Sequence, residues 1–510
     1  MHSPDFPNPM RGFPYPEPRD IQRKAIMATM RQLLKGKRVV VLELPTGVGK
    51  SAVGLTLALA EGPCFYITVQ KMLQDQYERE FPDRFAVLKG RNAYECAAER
   101  GSNCAEGPCT VDPALRKQHA DRCPYTQAAE RALNHARPLF NMDSFYYQSE
   151  HGWFRGARRP LLVVDEGHLI EDKFMSFIEV RVTADDFGEK PPEEGTPLAD
   201  CVPYLEACRV EAEAEVEAKK DSPGLTKAEA KRLAHLHSVA ARIGELLDDL
   251  PKNPQNWVHQ WETTRRGRQV LVVKPVVVGR WARDRLFDKA ERAVVMSATI
   301  VSIEQWCQAV GLERSEVAYL CAGSPFPKEN RRIVKRYAGS MSFRNYERTR
   351  PKMLRELRAI LAEHEGERGI VHTHSYKVER AIRDGIRDPR LTFKNGDVAA
   401  MLREHEAKRG SVIVAPGLAE GLDLKDDLSR FQVVCKVPYP SLGDAQMQRR
   451  FELSRSYYAY RTMLTLVQEY GRSVRHEGDR AVTYVVDSDL DRFLRQNARI
   501  TPSWFAEALE

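Results

Sequence analysis

The chain has 510 residues, of which 42% are hydrophobic and 29% charged, with a formal net charge of +7 and ten cysteines. That length holds more than one domain with real apolar cores, the composition is that of a soluble globular protein, and ten cysteines in a chain this long argue against a disulfide scaffold. No apolar run approaches the ~20 residues needed to cross a bilayer, and residues 1–20 are proline-rich rather than basic and then apolar, so no membrane association and a cytoplasmic location are expected. A positive balance permits a polyanionic partner without establishing one.

Pro18 and Asp20 are start signals for a helix predicted from Ile21 to Leu34. On it, the Gln22 amide donates and accepts at once, the chemistry that reads an adenine edge. Arg38 to Leu44 is a β-branched apolar strand, and Ser51 to Ala60 has Ala and Leu at helical spacing. Leu44-Pro45-Thr46-Gly47-Val48-Gly49-Lys50-Ser51 between them is therefore a strand-to-helix turn. Gly47 and Gly49 let backbone N–H groups close on phosphate oxygens at the helix N-terminus; Lys50 adds a charge near the β- and γ-phosphates, and Ser51 is a ligand for Mg²⁺. The general phosphate-loop pattern has glycine where this chain has Leu44, a departure shared by the helicase variant of the motif.

Pro63 to Val69 is a second strand, followed by a helix predicted over 70–81, with Thr68 and Gln76 as candidate contacts to a nucleic-acid backbone. Next comes a segment of little periodicity holding Cys96, Cys104, Cys109 and Cys123 in the spacing C-x7-C-x4-C-x13-C. A stretch that buries little apolar surface needs a staple. Zinc sites usually use tight C-x2-C pairs and iron–sulfur clusters accept looser intervals, so a [4Fe-4S] cluster, zinc and unrelated thiols all remain readings of this spacing.

Arg159 to Val164 is a buried strand ending in Asp165-Glu166-Gly167-His168. Asp165 can hold Mg²⁺ through its waters, and Glu166 can orient and deprotonate a water attacking a γ-phosphate. Charged amphipathic helices over Ala212–Ala218, Thr226–Leu236 and Ser238–Leu250 predict an inserted helical domain. The sheet is then expected to resume through Val270–Pro275 and Arg292–Met296, ahead of the hydroxyl-bearing Ser297-Ala298-Thr299. A second α/β lobe starts near Ile333 and carries Glu420-Gly421-Leu422-Asp423 and a helix predicted to run through Gln468, Arg472 and Arg475. The two arginines would lie i, i+3 on one face, as arginine fingers facing the phosphate turn.

In order, Gln22, Pro45 to Ser51, Thr68 to Gln76, Asp165 to His168, Ser297 to Thr299, Glu420 to Asp423 and Gln468-x-x-Gly471-Arg472-x-x-Arg475 resemble the superfamily 2 helicase set. A Lys89-Gly90-Arg91-x-x-Tyr94-x-Cys96 entry into the four-cysteine segment, with Asp-Glu-x-His and a helical insertion, is similar to the iron–sulfur helicases of the XPD and DinG families. The resemblance implies an α/β fold of two RecA-like parallel-sheet lobes, residues 1–330 and 331–510, with an iron–sulfur insertion at 90–135 and a helical arch at 175–265 inside the first. It implies catalysis by Lys50, Asp165, Glu166, Arg472 and Arg475. ATP would be bound by Gln22, Pro45, Thr46, Gly47, Val48, Gly49, Lys50, Ser51, Glu420, Asp423 and Gln468, and Mg²⁺ by Ser51 and Asp165. A [4Fe-4S] cluster would sit on Cys96, Cys104, Cys109 and Cys123. The implied activity is 5′-to-3′ movement on single-stranded DNA with unwinding of forked duplexes in repair or replication, by a nucleoid-associated monomer. A translocase or remodeller without processive unwinding, and a non-catalytic DNA-binding scaffold, are the alternatives.

Overall fold

Runs such as Val39-Val40-Val41-Leu42 and Leu161-Leu162-Val163-Val164 have no polar side to offer water, so they require helices on both faces and favour parallel pairing. The computed structural model describes residues 8–510 apart from 70, 111, 184–185, 189, 220–221, 223–224, 265, 325, 394–397, 418–423, 425 and 477. Its strands are β1 (Val39–Glu43), β2 (Cys64–Thr68), β3 (Ala86–Leu88), β4 (Pro138–Asn141), β5 (Arg159–Asp165), β6 (Val180–Thr183), β7 (Trp257–Thr263) and β8 (Gln269–Pro275). They continue with β9 (Ala290–Ser297), β10 (Val317–Cys321), β11 (Ile333–Gly339), β12 (Gly369–His372), β13 (Leu391–Phe393), β14 (Val412–Ala415), β15 (Phe431–Val434) and β16 (Val482–Asp487).

The first lobe is a parallel sheet in the order β10-β1-β9-β5-β2-β4-β3, the second a parallel sheet in the order β11-β16-β15-β12-β14-β13. Register matters more than order here. Glu43 pairs beside Ser297, and Thr68 beside Asp165, so the turns after β1, β5 and β9 emerge together at one carboxyl edge, where open α/β sheets place their ligands.

One strand departs from expectation. Val270–Pro275 does not rejoin the main sheet; β8 pairs antiparallel with β6 and β7 in a small separate sheet. A fully buried β-branched run reads the same in either setting, and here the burial comes from long helices. Those are Leu198–Lys219 and Lys227–Asp249, the second one unbroken where two were expected. Thr226 caps the second through a reciprocal box with Glu229, and Leu233, Leu236, Ala240, Ile243 and Leu246 line its inner face. Leu205, Ile243 and Leu246 join the same apolar cluster as Phe65, Phe140 and Trp306 beneath the first sheet. The inserted helices are thus built onto the lobe's own core.

The lobes meet through charge as well as shape. Glu171, on the helix Ile170–Ile178 just after β5, is buried against Arg450 and accepts the Tyr457 hydroxyl at 2.8 Å. Arg461 reaches Glu171 at 3.7 Å and Asp172 at 2.9 Å. Farther out, Lys274 on β8 pairs with Asp444 at 2.7 Å, and Gln446 Nε2 donates to Val276 O at 2.9 Å.

Gly279 opens the helix Gly279–Arg285, and a Cβ there would stand 2.7 Å from the backbone nitrogen of Gly311, itself at φ +74°. Neither backbone can give way. Gly279→Ala should therefore destabilise the chain by about 1–3 kcal/mol, read as a lower thermal midpoint, while Gly323→Ala, where a methyl meets nothing within 4 Å, should not.

Candidate functional site

The turn after β1 takes its shape from two glycines in the left-handed region, Gly47 at φ +79° and Gly49 at φ +78°, the latter capping the helix Lys50–Glu61. Its carbonyls are gripped from behind. Arg19 Nη1 donates to Gly47 O at 2.9 Å, and Gln22 Nε2 donates to Val48 O at 2.9 Å and Gly49 O at 3.4 Å. Because peptide N–H and C=O oppose each other, the N–H groups of Val48, Gly49 and Lys50 face away from this brace. Gln22 Oε1 accepts from Arg19 N at 2.9 Å, so both ends of the Gln22 amide are engaged here in shaping the turn.

Beside it, Asp165 is buried, with Oδ1 accepting its neighbour's N–H at Glu166, 2.9 Å, and Oδ2 accepting the Tyr77 hydroxyl at 2.9 Å. Burial first, then the Glu166 charge, push its carboxyl up to about 6, against the pull of Lys50. Glu166 holds φ +56°, a conformation that costs a non-glycine residue roughly 1 kcal/mol, and its side chain lines the cleft. His168 Nδ1 lies 2.8 Å from Ser297 Oγ. The Ser297 proton is donated to Thr299 O at 2.9 Å, so the hydroxyl accepts from His168 Nδ1–H. Burial pulls the His168 ring down to about 3 and keeps it neutral.

The far wall belongs to the second lobe. A cavity of about 440 Å³ is lined by Pro45, Thr46, Glu166 and His168 on one side and Gln468, Arg472 and Arg475 on the other. The arginines are not on a helix: Arg455–Tyr470 stops at Gly471, and both follow in a loop. The loop is fixed by side chains that helical periodicity does not reveal. Ser473 Oγ lies 2.7 Å from Ser429 Oγ, Val474 packs on Phe326, and the buried Asp479 accepts Arg475 N at 3.1 Å and Arg430 Nη1 at 3.0 Å. A Cβ on Gly47 would stand 1.8 Å from Arg475 O, so this loop rests on the turn itself. Gln468 Nε2 is buried without a hydrogen-bond partner among the described residues. Ser51 lies half-buried in the first turn of Lys50–Glu61; Glu420 and Asp423 lie outside the described residues.

Two expectations on the strand side part company. Thr68 is fully buried, its hydroxyl donated to Phe140 O at 3.4 Å, and presents nothing to a strand. Gln76 is half-buried and lines the cavity. Two residues that pattern reading passed over matter more. Tyr77 reaches Asp165, and the buried Glu43 accepts Ile300 N at 2.7 Å, Val301 N at 3.1 Å and the Tyr319 hydroxyl at 2.8 Å, fixing the stretch after Ser297-Ala298-Thr299. An acid closing an otherwise apolar strand was the available signal for Glu43.

Cys96, Cys104, Cys109 and Cys123 line a second cavity, of about 410 Å³. They stand as two close pairs, Cys104 with Cys123 and Cys96 with Cys109; burial, then the Cys123 thiol, push Cys104 up to about 12. A single tetrahedral zinc ion needs its sulfurs about 3.8 Å apart. Among the described residues the one trio of ligand atoms within 4.8 Å is Asp426, His476 and Asp479, so no three of these sulfurs are that close. Arg91 Nε and His119 Nδ1, on residues that border the cavity, are buried without a hydrogen-bond partner among the described residues. The four thiols and these two nitrogens thus face one cavity, a donor set that suits a thiolate-held metal centre.

Residues 357–508 match the helicase C-terminal domain family, and residues 15–185 the type III restriction enzyme res subunit family. The chain is 29% identical over 126 residues to the ATP-dependent DNA helicase CHL1 of Scheffersomyces stipitis, covering 21% of this chain and 15% of that protein. It is 25% identical over 250 residues to the probable ATP-dependent helicase MJ0942 of Methanocaldococcus jannaschii, covering 44% of this chain and 38% of that one. These matches thus span well under half of those relatives. Among solved structures, an XPD helicase superposes with a TM-score of 0.65 at 16% identity over 95% of this chain and 98% of its own. S. tokodaii Xpd4 gives 0.56 at 12%, over 96% and 99%. At such identities the likeness concerns the fold, two RecA-like lobes.

Gly47→Ala would combine a strained backbone with a collision against Arg475 O. It should weaken binding of a fluorescent ATP analogue at least about tenfold in equilibrium titration.

Proposed function

We propose that this chain, which belongs to the superfamily 2 helicases of the XPD/DinG type, hydrolyses ATP to move 5′ to 3′ along single-stranded DNA and to open forked duplexes. One observation carries the reading. Pro45 and Thr46 of the glycine-rich turn and Glu166, from the first lobe, line the same cavity as Arg472 and Arg475, from the second.

The triphosphate lies on the N–H groups of Val48, Gly49 and Lys50, with the Lys50 ammonium on the β/γ side. Ser51 and Asp165 would hold Mg²⁺, which when bound neutralises charge on the β- and γ-phosphates. Glu166 takes a proton from the attacking water as the water oxygen bonds to the γ-phosphorus and the bond to the β-phosphate oxygen breaks. Arg472 and Arg475 neutralise charge on the transferring group from the opposite wall. The hydrogen bond from His168 to Ser297, and Glu43's hold on Ile300 and Val301, connect this chemistry to the stretch that follows β9. Lobe movement then follows occupancy, because both lobes supply charged groups to the lining.

Cys96, Cys104, Cys109 and Cys123 would hold a [4Fe-4S] cluster, which supplies a covalent staple for a segment with few buried side chains of its own. Single-stranded and forked DNA are the partners this reading requires, with the chain acting as a monomer. Among the described residues no helix is long and apolar enough to cross a membrane.

Lys50→Ala should lower ATP turnover at least about a hundredfold. Wild-type protein should displace the strand of a fork with a 5′ tail; strand-stimulated hydrolysis without displacement would reduce the reading to a translocase. Protein purified without oxygen should carry about four irons per chain, and Cys109→Ser should lower strand displacement more than basal ATP turnover. Zinc in place of iron in fresh protein would overturn the cluster.

A further inference from the structure

A carboxylate at the end of a buried strand keeps its charge only if donors meet its oxygens. For Asp165, one donor is local, the N–H of Glu166. The other comes from a different element, the hydroxyl of Tyr77 on the helix Lys71–Glu80, at 2.9 Å. Behind it, the Tyr66 hydroxyl on β2 donates to the Tyr77 oxygen at 3.0 Å. Both rings are fully buried, their centroids 5.1 Å apart. A phenol is protonated at neutral pH, so each of these buried hydroxyls is available as a donor.

The Tyr66 oxygen needs room, and the helix Lys50–Glu61 leaves it. A Cβ on Gly54 would stand 2.3 Å from that oxygen. Phenylalanine would fill the same core space at both positions without the desolvation cost of two hydroxyls, so the oxygens are explained by what they hold. The helix bearing Tyr77 also lines the inter-lobe cavity with Met72, Gln76 and Arg79. It therefore has one face on the cleft and one on the carboxylate.

We infer that Tyr77 is a positioning residue for Asp165, setting the orientation in which that carboxylate meets a divalent cation, and that Tyr66 holds Tyr77 in place. The inference rests on the reading of Asp165 as the Mg²⁺ carboxylate. Tyr77→Phe deletes the hydroxyl alone and frees the carboxylate to turn. The relay also joins β2, the helix after it and β5 through atoms that have no backbone connection.

The test uses the full chain and reads Mn²⁺ binding in the presence of ADP by electron paramagnetic resonance, together with the Mg²⁺ dependence of ATP turnover. Tyr77→Phe should weaken Mn²⁺ binding about tenfold and raise the Mg²⁺ needed for half-maximal turnover by a similar factor. The KM for ATP at saturating Mg²⁺ should change less than about twofold, a split that general loosening of the core would not produce. Tyr66→Phe, one bond removed, should shift the same quantities about threefold. Unchanged Mn²⁺ binding in Tyr77→Phe, with binding lost in Asp165→Asn, would overturn the inference and leave the metal assignment standing. Binding retained in Asp165→Asn would instead overturn the metal assignment beneath it. Should Tyr77→Phe fail to fold, unchanged binding in Tyr66→Phe overturns the relay.

Discussion

The glycine-rich turn after β1 is gripped from two sides, by Arg19 and Gln22 on its carbonyls and by the Arg475 loop against Gly47. A glycine-rich turn left to itself samples many conformations, and each residue fixed costs roughly 1–2 kcal/mol in backbone entropy. Here the hydrogen bonds that offset this cost come from outside the turn, so its shape is a property of the assembled lobes. Position follows from the sheet: parallel register places Glu43 beside Ser297 and Thr68 beside Asp165, and the helices that flank those strands then need no long reach to meet at the cleft.

Buried charge recurs around this edge, and each instance has its own compensation. Glu43 is surrounded by two backbone N–H groups and a phenol; Asp479 takes donors from the turn bearing Arg475 and from Arg430. Glu469, between Gln468 and the arginines, lies against His372 and His374; despite its burial, those two rings hold its carboxyl well below the usual range. Removing one member of such a set leaves its partner charged and desolvated, which costs more than the set contributes when whole. These groups define geometry more than they add stability.

Much of this was legible in the chain. The apolar strands, the turn between Leu44 and Ser51 and the Asp165-Glu166 pair announce themselves by local pattern, since each is a short stretch with a fixed period or a fixed residue type. What escaped depended on distant partners. Val270–Pro275 has the composition of a central strand but the neighbours of a small antiparallel sheet. Arg472 and Arg475 keep helical spacing past the point where Gly471 ends the helix. Thr68 is polar at a strand end yet faces inward. Tyr77 reads as an ordinary core aromatic until a partner 88 residues away is placed against its oxygen.

The Glu171 cluster is a buried ion-pair contact between the two lobes. Glu171 sits three residues past His168, and Arg461 sits on the same helix that delivers Gln468. Stranding the Glu171 carboxylate would cost about 3–5 kcal/mol, whereas the outlying pair of Lys274 and Asp444 is partly hydrated and yields more easily. Along one seam, then, the stiff contact lies beside His168 and the helix that delivers Gln468, and the yielding one lies out at β8.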